Sequence, residues 1–227
     1  VIHNNPMAKI KRRKPKTEKR VVPLDMVTIK KLADGFAPRW RITVWIGFFT
    51  GMRPSEVLGL TWDRLDFENQ EITIDRQLSR DSKKIFADHL KTSKSYRTIP
   101  FSPYLQKLLL EHRDQHGLGP HALILQNRSG NVWRYKDASA MFRLIARPLG
   151  FDKGEGMHQL RHTCASVLIK LGNNAKQIQE WLGHESILET MDTYGHLFPR
   201  DLHEVSDRLD AYVVGQLEIQ HEQRMLA

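Results

Sequence analysis

The sequence is short of the residues that would staple or anchor it. A single cysteine, Cys164, stands among 227 residues; it excludes an internal disulfide and a structural zinc-thiolate site and fits a reducing cytosol. No apolar run approaches the roughly 20 residues that a spanning helix needs, and no signal-peptide pattern opens the chain. The expectation is a soluble, cytoplasmic protein. A Gly-x-x-x-x-Gly-Lys-Ser/Thr loop is missing, which argues against ATP-driven work. Two histidine pairs, His112/His116 and His158/His162, have a spacing that can hold zinc on a helix face, but the His-Glu-x-x-His signature is lacking. Gln159 fills the glutamate position and Arg161 would thrust a cation toward the metal. Neither pair is read as metallic, and no internal repeat or low-complexity segment is visible.

What the chain has is positive charge, unevenly placed. Its formal net charge is +9, and residues 9–20 hold eight Lys or Arg against Glu18, so seven of the nine net charges sit in one arm. Within that arm Lys11, Arg12, Arg13 and Lys14 are contiguous. Such a run can neutralise phosphates and release counterions, giving sequence-indifferent, salt-sensitive affinity for nucleic acid; a solvated linker explains it equally well. Residues 1–22 therefore read as a basic interdomain linker or arm. The first residue is Val1, and Asn5-Pro6 would suit a crossing from an upstream domain, so a fragment is expected.

From Pro23 the pattern turns helical. Met26, Ile29 and Leu32 recur at helical spacing until Gly35 and Pro38 end the element, and Trp40 to Thr50 is apolar all round, as a buried helix would be. Gly51 stops that helix, and Pro54 suits the first turn of a short one ending near Leu60. Three strands follow, Arg64 to Phe67, Glu71 to Asp75 and Arg97 to Pro100, predicting a small antiparallel sheet. Ser102-Pro103 opens a helix to His116. Ala122 to Gln126 reads as a brief strand or extended piece, and helices are expected near 136–148, 157–171, 174–182, 186–193 and 201–216. The fold class is mainly α with a small antiparallel β-sheet (α+β): one domain over 23–199 and a helical tail over 200–227.

Several spacings carry chemistry. His158 and Arg161 are three apart, so they share a helix face near its start, where backbone N–H groups and the helix dipole also favour an anion. Arg53 sits between Gly51 and the helix-starting Pro54, and Glu56 could orient its guanidinium through a bidentate pair. Lys91, at the expected hairpin tip before the last strand, can reach a leaving oxygen and give it a proton; Lys94 is a rival for the role. Gly183 ends a helix and presents His184 just past the stop, and Tyr194 follows ten residues later. Each feature alone is more often structural. Together they supply a hydroxyl nucleophile and cations for one phosphate.

Taken in order, Thr50-Gly51-Met52-Arg53, Lys91, His158-Gln159-Leu160-Arg161, Leu182-Gly183-His184 and Tyr194 resemble the catalytic domain of the tyrosine recombinases, the phage integrase family, from about Pro23 to Leu209. Gly51-Met52-Arg53-Pro54-Ser55-Glu56, His158-Gln159-Leu160-Arg161-His162-Thr163 and Asp192-Thr193-Tyr194-Gly195-His196-Leu197 resemble phage and mobile-element integrases more than chromosome-dimer resolvases. The resemblance implies the integrase catalytic-domain fold and a cofactor-free site-specific recombinase. Such an enzyme would act on double-stranded DNA as a homo-tetramer in the bacterial cytoplasm, with accessory bending and directionality proteins. It further implies that Arg53 and Arg161 clamp the non-bridging oxygens of the scissile phosphate, and that Lys91 protonates the departing 5′ oxygen. His158 would act as acid/base near Tyr194, His184 would hydrogen-bond the phosphate, and Tyr194 would become a 3′-phosphotyrosyl ester. The tail, with Leu202, Val205, Leu209, Tyr212 and Val213 at helical spacing, would dock on a neighbouring protomer. A nicking-closing type IB topoisomerase and a catalytically silent DNA-binding regulator are the alternatives.

Overall fold

The structure, a computed structural model, describes residues 21–79, 84–90, 92–117, 119–126, 129, 131–152, 155–199 and 201–225. Lys11, Arg12, Arg13 and Lys14 of the basic arm lie outside the described residues, as does Lys91.

Helix α1 (Met26–Gly35) starts where the Asp25 carboxylate accepts from the Thr28 N–H, and it buries Ile29, Leu32 and Ala33. Met26, expected on that apolar stripe, is exposed instead; it occupies the first turn, and the burial begins one turn later. Helix α2 (Pro38–Thr50) is the central helix expected from its unbroken apolarity, with Ile42, Val44, Ile46, Gly47 and Phe48 all buried. Gly47 permits a close crossing: a Cβ there would meet Leu160 Cδ1 at 2.9 Å. Gly51 ends α2 in the left-handed region at φ 60°, and a side chain there would also strike Leu182 and Cys164. The chain therefore turns sharply enough for α3 (Pro54–Leu58) to begin three residues later.

Strands β1 (Leu65–Asp66), β2 (Glu71–Ile74) and β3 (Arg97–Pro100) form one antiparallel sheet in the order β1-β2-β3. Leu65 faces Ile72, Ile72 faces Ile99, and Ile74 faces Arg97. The 2-residue period sets Ile72, Ile74 and Ile99 inward, and by the same alternation puts Arg97 on the inner face.

Helix α4 (Pro103–His116) is capped by Ser102 and packs on α2. Ala122 to Gln126 forms no named strand: Leu123 bridges Thr61 and Gln126 bridges Val132 as isolated pairs, while the Ile124 N–H donates to the Leu60 carbonyl. Helices α5 (Tyr135–Ala146), α6 (His158–Lys170), α7 (Ala175–Leu182) and α8 (Ile187–Tyr194) complete the compact unit, which runs through His196. One hydrophobic core joins α1, α2, the sheet, α4, α5 and the start of α6.

A second unit begins at Leu197. It is built on α9 (Leu202–Met225), longer than the helix expected over 201–216, and its Leu202, Val205, Leu209, Tyr212, Val213 and Leu217 side chains are exposed.

Candidate active site

The site is assembled where α2 ends, α6 begins and α7 gives way to α8. Arg53 follows the Gly51 turn. Its backbone N–H donates to Glu56 Oε2 at 2.8 Å, and its Nη1 donates to Glu56 Oε1 at 2.9 Å and to Ser95 Oγ at 3.1 Å. Its Nη2 donates to the Gly183 carbonyl at 3.1 Å. The expected Arg53–Glu56 pair is therefore present, and it ties α3 to the residues just before β3 and to the end of α7.

Glu56 has a second arginine that the sequence reasoning missed. Arg97 Nη2 donates to Glu56 Oε2 at 3.0 Å, Nε donates to the Trp181 carbonyl at 3.0 Å, and Nη1 donates to the Ser95 carbonyl at 3.0 Å. Its side chain is 6% exposed. A signal existed: in Arg97-Thr98-Ile99-Pro100 the strand period gives Arg97 the same face as Ile99, and an arginine on an inner face demands a carboxylate.

Arg161, on the first turn of α6, is buried and donates from Nη1 to the Gly51 carbonyl at 2.7 Å. Burial, then the Arg53 and Arg97 charges, push its pKa down to about 10 against the pull of Glu56, so it remains a cation at neutral pH. Arg53, Arg97 and Arg161 bring +3 to a largely buried place, and Glu56 is the carboxylate they share among the described residues, leaving an excess of +2. Burial alone would raise the Glu56 pKa; Arg97, Arg53 and Arg161 outweigh it and hold the carboxyl below its usual range.

That balance gives a prediction. Replacing Glu56 by Gln leaves Arg97 without its counter-charge, and breaking a buried pair costs about 3–5 kcal/mol. Because the folded pKa is the lower one, the ionised Glu56 contributes its full stabilisation above the ordinary carboxylate range and loses it as pH falls through the folded value. Thermal melts across pH should show Glu56→Gln strongly destabilised at neutral pH, with the gap to wild type narrowing in acid; a constant gap would contradict the argument.

His184 follows Gly183, whose φ of 67° and contact with the Lys94 carbonyl leave no room for a Cβ. Its Nδ1 pairs with Thr190 Oγ1 at 2.8 Å, and its Nε2 lies 3.8 Å from Glu189 Oε1. Burial, then Arg161, Arg53 and Arg97, push its pKa down to about 3, so it is a neutral imidazole. Its ring lies parallel to that of Tyr194, centroids 6.3 Å apart.

Tyr194, at the end of α8, is 1% exposed. Its hydroxyl is 2.9 Å from His162 Nδ1, and burial pushes the phenol up to about 12, with Arg161 pulling the other way. The imidazole on the phenol is thus His162, which the sequence reading placed in a zinc-spaced pair and in a phrase of the resemblance but gave no role. His158 is exposed one turn earlier, its ring 6.4 Å from that of His162. Lys94 is also exposed, in the turn before β3.

With this geometry in view, the comparisons with known proteins agree in one direction. Residues 8–200 match the family model described as the phage integrase family. The chain is 28% identical over 172 residues to the ICEBs1 integrase of Bacillus subtilis, an alignment covering 73% of this chain and 47% of that protein. It is 30% identical over 194 residues to a XerC-like tyrosine recombinase of Caldanaerobacter subterraneus subsp. tengcongensis, covering 76% and 49%. The chain spans about half the length of these relatives. Among solved structures, the Tn1549 transposon integrase in complex with circular intermediate DNA superposes with a TM-score of 0.70 at 22% identity, covering 84% of this chain and 68% of that one. The catalytic domain of bacteriophage HP1 integrase gives 0.57 at 23% identity, covering 83% and 95%. These two likenesses show that the fold is shared.

Proposed function

The chain belongs to the phage integrase family, and from that premise we propose that it is the catalytic part of a site-specific recombinase that cuts and rejoins double-stranded DNA through Tyr194. The observation that carries the proposal is the excess of +2 held by Arg53, Arg97 and Arg161 around Glu56, with a tyrosine hydroxyl and two neutral imidazoles on the next elements. A phosphodiester under attack gathers negative charge on its non-bridging oxygens, and guanidiniums already fixed in place stabilise that charge without reorganising.

In this mechanism Arg53 and Arg161 hold the phosphate, and Glu56, itself held by Arg97, holds Arg53. His184 donates a hydrogen bond to the phosphate from Nε2, its Nδ1 being engaged by Thr190. Tyr194 attacks phosphorus to give a 3′-phosphotyrosyl ester, the 5′ oxygen leaves with a proton from a lysine, Lys91 by resemblance, and a 5′ hydroxyl later reverses the step. One phosphate ester replaces another, so bond energy is conserved and a different strand can be joined. Assembly as a tetramer on DNA, with the exposed face of α9 on a neighbouring protomer, belongs to the same proposal.

The test uses a pool of nicked duplexes with a randomised core, in which cleavage releases a short 5′-hydroxyl fragment and traps the adduct. With EDTA present, this chain should become covalently linked to DNA, and sequencing the captured duplexes should return a common core. Supplied with a second duplex bearing a 5′ hydroxyl, the adduct should transfer its strand to it. Rejoining only to the original strand would favour a nicking-closing enzyme, and no adduct at all would contradict the proposal.

A further inference from the structure

Deprotonation of the nucleophile is the step that the arginines leave unsolved: even beside Arg161 the phenol is held as an acid weaker than free tyrosine, so at neutral pH it needs a proton acceptor. Resting on the function just proposed, we infer that His162 is that acceptor, because its Nδ1 lies 2.9 Å from the Tyr194 oxygen and the two rings meet edge to face at 5.8 Å between centroids. That distance is within the reach required of a general base.

The step balances without an added reagent. The phenol proton passes to Nδ1, making His162 an imidazolium; the tyrosine oxygen forms a bond to phosphorus as the bond to the 5′ oxygen breaks, and that oxygen leaves with a proton from the lysine. On rejoining, a 5′ hydroxyl attacks the phosphotyrosyl phosphorus and gives its proton back to the lysine, while His162 returns its proton to the departing phenolate. The imidazole is poised for this in two ways. Burial, then the Arg161 charge, hold it neutral before substrate arrives. A phosphate seated on Arg161 offsets that repulsion, so His162 binds a proton more readily once the scissile group is in place. Among the described residues the titratable and charged groups of this cluster are Arg161 and His158 on α6, His184 before α8, and Tyr194 and Glu189 on α8, the Glu189 carboxylate acting on Tyr194 and lying 3.8 Å from His184.

The experiment compares wild type with His162→Asn on the core sequence recovered from the pool, carrying a 5′-bridging phosphorothiolate at the cut. A thiolate leaves without a proton, so this substrate isolates activation of the nucleophile from protonation of the leaving group. Wild-type cleavage should rise with pH and level off once His162 is neutral. His162→Asn should be slower by about 10²–10⁴-fold at neutral pH and keep climbing into the alkaline range as solvent base takes over. A variant with the wild-type rate and profile would overturn the inference. So would a uniform loss at every pH together with a lowered melting temperature, which marks a structural role, or loss of the levelling-off in His158→Asn instead. Absence of a wild-type adduct would sink the parent proposal itself and this inference with it, an outcome distinct from all of these.

Discussion

Tyr194→Phe is expected to bind DNA as wild type does and to form no covalent adduct, a loss of more than about 10⁴-fold, on the scale seen when a nucleophile is deleted. Exposure alone would nominate a different residue. The chain has five tyrosines, and Tyr96, Tyr104 and Tyr212 are all well exposed while Tyr194 is 1% exposed. Position decides otherwise: Tyr194 is the tyrosine whose hydroxyl meets an imidazole beside Arg161, and whose ring lies parallel to that of His184. The substitution also removes the hydrogen bond to His162, worth about 0.5–1.5 kcal/mol, so Tyr194→Phe should melt slightly earlier and remain folded. Gel capture in EDTA, paired with a binding titration, separates the two quantities. An adduct formed by Tyr194→Phe would assign the nucleophile to another residue.

The second large effect belongs to Arg161, where stability and activity should part company. Its guanidinium is buried, sits among the charges of Arg53 and Arg97, and has its pKa pushed down to about 10; the folded chain therefore disfavours the cation it holds. Removing it relieves the cost of burying that charge beside two others, and Glu56 keeps Arg53 and Arg97 as its paired partners. Against this stands one lost hydrogen bond to the Gly51 carbonyl. Arg161→Met should therefore melt at or above the wild-type temperature and yet cleave about 10²–10³-fold more slowly, the loss typical of one transition-state contact, with DNA affinity reduced far less. Calorimetry and single-turnover cleavage on the same preparation check it. A variant that unfolds early would show Arg161 to be a structural residue. Equal losses of binding and cleavage would confine it to ground-state binding.

Much of this arrangement was legible in the order of residues, because local rules set it. Gly51 and Gly183 end helices in the left-handed region, and those two stops place Arg53 and His184. The all-round apolarity of Trp40 to Thr50 marked the central helix, and the alternation in Glu71-Ile72-Thr73-Ile74 marked the sheet. What escaped depended on contacts between distant segments. Glu56 was matched with Arg53, three residues away, whereas its second partner Arg97 lies 41 residues on and meets it only in the folded chain. His162 was weighed as a helix-face neighbour of His158, since spacing reports which residues share a face and not what that face meets; it meets Tyr194, 32 residues later. Of the two readings left open for Ala122 to Gln126, a brief strand or an extended piece, the fold takes the second, with isolated bridges at Leu123 and Gln126, and Met26 has the period of its helix yet is exposed among the described residues.

The account rests on one bond, between a tyrosine oxygen and a DNA phosphorus. Digesting the trapped adduct with protease and nuclease, then locating the nucleotide by tandem mass spectrometry, tests it most directly. The expected spectrum carries a 3′-nucleotide on Tyr194 in the peptide containing Met191-Asp192-Thr193-Tyr194-Gly195. A nucleotide on any other residue, or a phosphate linked through a 5′ oxygen, would contradict it.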